Sequence, residues 1–167
     1  AVGSFTTAGF VTANGIARWD GAAWSPVGTG DGPKNKDGGT FGVWLRTAAM
    51  YDGKLVIAGQ FRSVDGVPAM NIAAWDGTNW APLGGGLHGT DPWSVVEVSS
   101  LVSAGGTLYA GGDFTAADGV WSEPNEWGDS ELLSYTAVGS VAAWNGTAWS
   151  PLDSGLQFVD GNTQPGK

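Results

Sequence analysis

The sequence predicts an all-β fold assembled from repeats of a four-stranded antiparallel unit. The 167-residue chain holds 29 Gly, 8 Pro and 10 Trp, a composition of turns and aromatic packing residues. One long segment recurs three times, and no stretch sustains a 3.6-residue apolar period over the length of a helix. So much Gly and Pro would suggest disorder in a polar chain, but 42% of the residues are hydrophobic and leave ample apolar surface to bury.

The repeat is read directly. Gly3 to Gly30 is GSFTTAGFVTANGIARWDGAAWSPVGTG, and Gly59 to Gly86 is GQFRSVDGVPAMNIAAWDGTNWAPLGGG, equal in length without a gap. A third copy begins GGDFTAADGV at Gly111 and resumes as GSVAAWNGTAWSPLDSG at Gly139. Phe5 to Trp19 and Phe61 to Trp75 are 14 positions apart while Phe114 to Trp144 is 30, so copy three carries a 16-residue insertion at about 121–136. The chain is thus expected to be a single array over 1–167, with copy one at about 1–53, copy two at about 54–105 and copy three at about 106–167.

Within each copy, the apolar runs Ile16 to Trp19, Ile72 to Trp75 and Val141 to Trp144 end in Asp-Gly or Asn-Gly, dipeptides suited to the positive φ of a hairpin turn. That turn sets Trp19 opposite Trp24, Trp75 opposite Trp80 and Trp144 opposite Trp149, structural cross-strand pairs worth roughly 0.2–1 kcal/mol each beyond burial. A second hairpin runs from Trp44 to Tyr51, turns at Asp52-Gly53 and returns over Lys54 to Ala58; its counterpart is Val95 to Ala104, Gly105-Gly106 and Thr107 to Ala110. Two hairpins give four strands, and a period of 56 and then 53 residues is that of a β-propeller blade of kelch-like length. Copy one lacks its first hairpin and copy three ends without a following one. About three blades fall short of the 4 to 8 that close a ring. The expected object is therefore an incomplete propeller that is a piece of a longer one, the favoured reading, or one completed by other chains, with open blade edges that invite strand addition.

The pattern GGxFTxAGGxxxNxIAxWDGxxWxxLGxG, carried by all three copies, resembles the repeats of bacterial secreted β-propeller proteins of the delta-60 kind and of the fungal cortical polarity markers related to them. The resemblance implies an extracellular or cell-surface protein and is weak for function. Two departures stand out: Ser140 replaces the Asn seen at Asn14 and Asn71, and Arg18 stands where the other copies have Ala74 and Ala143. Arg18 is expected to face solvent or a neighbouring chain.

The chemistry-bearing residues are few. A net charge of −9 with scattered cations argues against nucleic acid, and the apolar runs are too short for membrane insertion. There is no Cys, and His88 is the single His, so a Ser-His-Asp triad or a two-His metal site would need that residue or a second chain. His88, Asp91 and Trp93 share one non-repeat loop, reading either as the edge of an acid–base or ligand site or as structural residues. The insertion carries Glu123, Glu126, Asp129 and Glu131, a possible oxygen-ligand set for calcium or else a solvated acidic loop; no other cofactor is expected. It also carries Trp121 and Trp127, which read as binding hot spots, sugar-stacking platforms or cover for a blade. Gly30 to Gly42, with Lys34 and Lys36, matches no phosphate loop, and Asn145-Gly146-Thr147 is a formal glycosylation sequon explained by its turn. The leading expectation is a non-catalytic interaction or assembly scaffold that binds a protein partner or self-associates. The alternatives are a carbohydrate-binding propeller using Trp93, Trp121 or Trp127, and a glycosidase or lyase using a carboxylate pair drawn from Asp91, Glu123 and Glu126.

Overall fold

Turn chemistry sets the elements. The computed structural model describes residues 1–91, 94–123, 125 and 130–153. Copy one begins with β1 (Thr7–Ala8) and β2 (Val11–Thr12), then β3 (Ala17–Trp19) turns through Asp20-Gly21 into β4 (Trp24–Pro26). Next come β5 (Pro33–Lys34), the long hairpin β6 (Trp44–Tyr51) and β7 (Lys54–Gln60), and then β8 (Ser63–Val64), β9 (Val67–Pro68), β10 (Ile72–Trp75) and β11 (Trp80–Pro82). The last part holds β12 (Leu87–His88), β13 (Glu97–Ala104), β14 (Thr107–Asp113), β15 (Ala116–Trp121), β16 (Leu132–Ala137), β17 (Val141–Trp144) and β18 (Trp149–Pro151). No helix occurs among the described residues, and the protein is all-β with several small antiparallel sheets.

Two sheets have four strands, in the orders β6-β7-β10-β11 and β13-β14-β17-β18. Copy one supplies only the second half of that pattern, the two-stranded sheet β3-β4. In each, the register sets one Trp against the other, with ring centroids 5.3, 5.2 and 5.4 Å apart and the planes tilted. The strands of the smaller sheets β1-β2, β5-β8-β9 and β12-β15-β16 precede, separate or interrupt these units in the chain. The insertion, expected as a long surface loop, begins and ends as strand. Its arms extend the β15–β16 hairpin, pairing Ala117 with Thr136, Val120 with Ser134 and Trp121 with Leu132.

The long hairpins share a bulge. Register slips between Leu45 and Thr47 and again between Val98 and Ser100, opposite Gly59 and Gly112. A Cβ at Gly59 would collide with the Trp44 carbonyl oxygen, and one at Gly112 with that of Glu97, which is why both positions are glycine.

Side-chain braces join successive copies. Asp65, at φ 47° in the β8–β9 turn, accepts hydrogen bonds from Thr29 N (2.7 Å), Gly32 N (2.7 Å) and Trp80 Nε1 (3.1 Å). Asp118, at φ 53°, accepts from Gly85 N (3.0 Å) and Trp149 N (2.9 Å). Asn71 is buried at φ 64°; its Oδ1 accepts from Phe61 N (3.0 Å) and its Nδ2 donates to Leu87 O (2.7 Å). Ser140 keeps the same left-handed backbone at φ 58°.

The sheet β6-β7-β10-β11 is apolar on both faces. Val56, Ala58, Ile72 and Ala74 pack against Leu101, Leu108, Phe114 and Trp144 of the last sheet. Leu45, Ile57, Phe61 and Ala73 pack on the other side against Ile16 and Val27 of copy one. A sheet covered on both faces accounts for the unbroken apolar runs LVIA and IAAW.

Replacing Asn71 with Gly keeps the left-handed backbone free of strain and removes the amide's hydrogen bonds. Urea unfolding of Asn71→Gly followed by Trp fluorescence is expected to show a loss of about 1–3 kcal/mol, because Phe61 N–H and Leu87 C=O are left unpaired in the core. A change within about 0.5 kcal/mol, the range of a neutral surface substitution, would count against the brace.

Candidate functional site

Two places gather residues that the repeat pattern does not explain. The first is built on β12. Pairing of His88 with Ala116 and of Leu87 with Ala117 carries His88 beneath the extended hairpin, where it is 2% exposed. His88 Nδ1 lies 2.8 Å from Gly89 O, and since a carbonyl only accepts, the neutral ring carries its proton there. Nε2 is then a bare acceptor. The ring meets Trp121 edge-on, with centroids 5.5 Å apart at 63°. Gly119 leaves room for this contact, since a side chain there would run into His88 Nε2 and lie 3.0 Å from Trp121 Nε1. Both of those nitrogens are buried without a protein hydrogen-bond partner. Burial holds the His88 pKa below its ordinary value, the Gly89 carbonyl opposes this, Arg62 adds to the lowering, and Asp118 opposes it.

Trp121 is therefore a packing partner of the buried His88. Trp93, Trp127, Glu126 and Asp129 lie outside the described residues. Glu123 and Glu131 sit at the neck of the insertion, which Ser122 closes: Ser122 N donates to Glu131 O and Glu131 N to Ser122 Oγ, each at 2.8 Å. Among the described residues no group of three or more His, Asp or Glu side chains could hold a metal ion. Asp91 accepts a hydrogen bond from the Ser94 hydroxyl, whereas His88 bonds Gly89, so each of these two loop residues is held by its own neighbour.

The second place is the uncovered edge of β3. In copy two, pairs Ala58 with Ile72 and Ile57 with Ala73 open a β7–β10 ladder that continues through Val56–Ala74 to Leu55–Trp75. In copy one the same ladder starts and stops. Val2 bridges Ile16, Ala17 N donates to Ala1 O at 3.0 Å, and the amino terminus donates to Ala17 O at 2.7 Å. Trp19, two residues on, turns its own N–H and C=O toward that open edge. A groove of about 830 Å3 lies there, lined by Arg18, Trp19 and Val27 on one side and by Met50, Leu55 and Trp75 on the other. Trp19 is 51% and Met50 61% exposed, whereas Trp144 and Leu108, which stand at the positions of Trp75 and Leu55 in the next sheet, are 7% and 0% exposed. That Arg18 borders this groove is not visible in the sequence, because it depends on how the sheets stack.

Protonation of His88 works against the fold. Because the folded-state pKa lies below the ordinary 6.5, the unfolded chain binds the proton more readily. The stability contributed by the neutral ring is complete above pH 6.5 and is lost as pH falls below it. Urea midpoints measured from pH 8 to pH 5 are expected to fall more steeply for the native chain than for His88→Phe; parallel curves would remove His88 as the cause.

Comparison with protein-family models, curated proteins and solved structures finds no match.

Proposed function

We propose that the chain is a non-catalytic scaffold of β-propeller-like blades, acting outside the cell or at a cell surface, that binds a protein partner or self-associates through open blade edges. The observation that supports this reading is the repeated four-stranded sheet, whose outer strands β6 and β11, and β13 and β18, pair within their sheet on one side only among the described residues. A strand paired on one side offers backbone donors and acceptors for an added strand. Main-chain hydrogen bonds would supply part of the affinity, and burial of apolar side chains the rest.

The blade interpretation draws on the two four-stranded meanders and on the Asp65 and Asp118 braces that tie each copy to the one before it. The secreted setting draws on the repeat resemblance alone. The carbohydrate-binding alternative gains nothing from Trp121, whose indole is engaged with His88.

Sedimentation velocity tests the edge. The weight-average mass is expected to rise above 17.0 kDa as concentration increases. A single monomeric species at every concentration would overturn the assembly reading.

A further inference from the structure

We infer that Arg62 anchors a binding pocket for the carboxylate of a small organic acid, in a cleft where the β5–β6 connection and the segment before β13 meet the end of β7. The cleft has a volume of about 240 Å3, and its lining includes Asn35 and Lys36 in the β5–β6 connection, Gln60 to Arg62 at the end of β7, and Ser94 to Val96 before β13. Gln60 and Arg62 are departures from the repeat, standing where copy one has Ser4 and Thr6 and copy three has Asp113 and Thr115. Backbone hydrogen bonds hold this stretch on both sides: Arg62 N donates to Lys34 O at 2.8 Å, and Ala69 N donates to Arg62 O at 2.9 Å. Asn35 ties the β5–β6 connection, its Oδ1 accepting from Asp37 N (3.0 Å) and Gly39 N (2.9 Å) and its Nδ2 donating to Phe41 O (2.9 Å). The cleft is thus ordered by its own chain, and a ligand has little of it left to arrange.

Charge identifies the ligand. Arg62 is half-buried, and among the described residues its guanidinium has neither an ion pair nor a hydrogen bond. Desolvation alone draws its pKa below the ordinary arginine value. The neighbouring cations are compensated, Lys36 by Asp37 at 2.8 Å and Lys34 by Asp31 at 2.9 Å. No carboxylate lines the cleft, and those next to its lining in sequence are taken up elsewhere: Asp37 by Lys36, Asp91 by the Ser94 hydroxyl and Glu97 by Arg46. One uncompensated positive charge matches one negative charge. A carboxylate meets the planar guanidinium with two parallel hydrogen bonds, whereas a dianion such as phosphate brings a second charge into a chain that already carries −9. The Gln60 amide, without a hydrogen bond among the described residues, supplies a further donor. A volume of about 240 Å3 lies below the roughly 300–1,000 Å3 of pockets for drug-sized ligands, which limits the acid to a small one. Buried Phe61 and Val96, with Val95 72% exposed, give its body an apolar contact.

Titration with sodium butyrate at constant ionic strength and neutral pH, followed by backbone amide NMR and by Tm, tests the pocket. Butyrate is expected to bind saturably in the millimolar range, to shift the amides of Arg62, Val95 and Val96 most, and to raise Tm as it saturates. Arg62→Gln, which removes the charge and keeps a polar side chain, should fold with unchanged Trp emission and bind butyrate at least about tenfold more weakly, while Arg62→Lys should retain part of the affinity. Absence of saturable binding would overturn the pocket, as would saturable shifts that centre away from Arg62, a reading on the native chain that holds even if a variant fails to fold. Equal binding by Arg62→Gln would overturn Arg62 as the anchor, and tighter binding of sulfate than of butyrate would overturn the carboxylate.

Discussion

A sheet that is apolar on both faces has to be covered on both faces, and in this chain the cover for each sheet is the next copy of the same sheet. Ile57 and Val56 are neighbours in one strand, yet they belong to different cores, one shared with copy one and the other with copy three. Neither core belongs to a single repeat. Burial couples the copies in series, and Trp144, packed against the sheet of copy two, is 7% exposed.

The braces explain a composition that otherwise looks permissive. Asp65 and Asp118 adopt left-handed backbone and reach into the glycine loops of the preceding copy, and the glycines there are small for that reason. A side chain at Gly28 would strike the Asp65 carboxylate, and one at Gly84 the Asp118 carboxylate. The glycines thus make room for polar clamps between sheets, and the loops are fixed by charge-assisted hydrogen bonds to backbone N–H groups. Asn71 does the same from the buried side.

Much of the fold was legible because it is local. Trp pairs five residues apart, Asp-Gly turns and short apolar runs determine hairpins without reference to the rest of the chain. The site was less legible because its parts are distant in sequence. Nothing near His88 signals that Trp121 would lie against it, since that contact requires β12 to pair with β15 and Gly119 to leave the space. The insertion looked like loop because its strand arms, Trp121 and Leu132-Leu133, stand outside the repeat pattern, although they extend the hairpin that Ala116 to Val120 begin. Arg18 was visible as a departure too, but that it borders a groove depends on how the sheets stack.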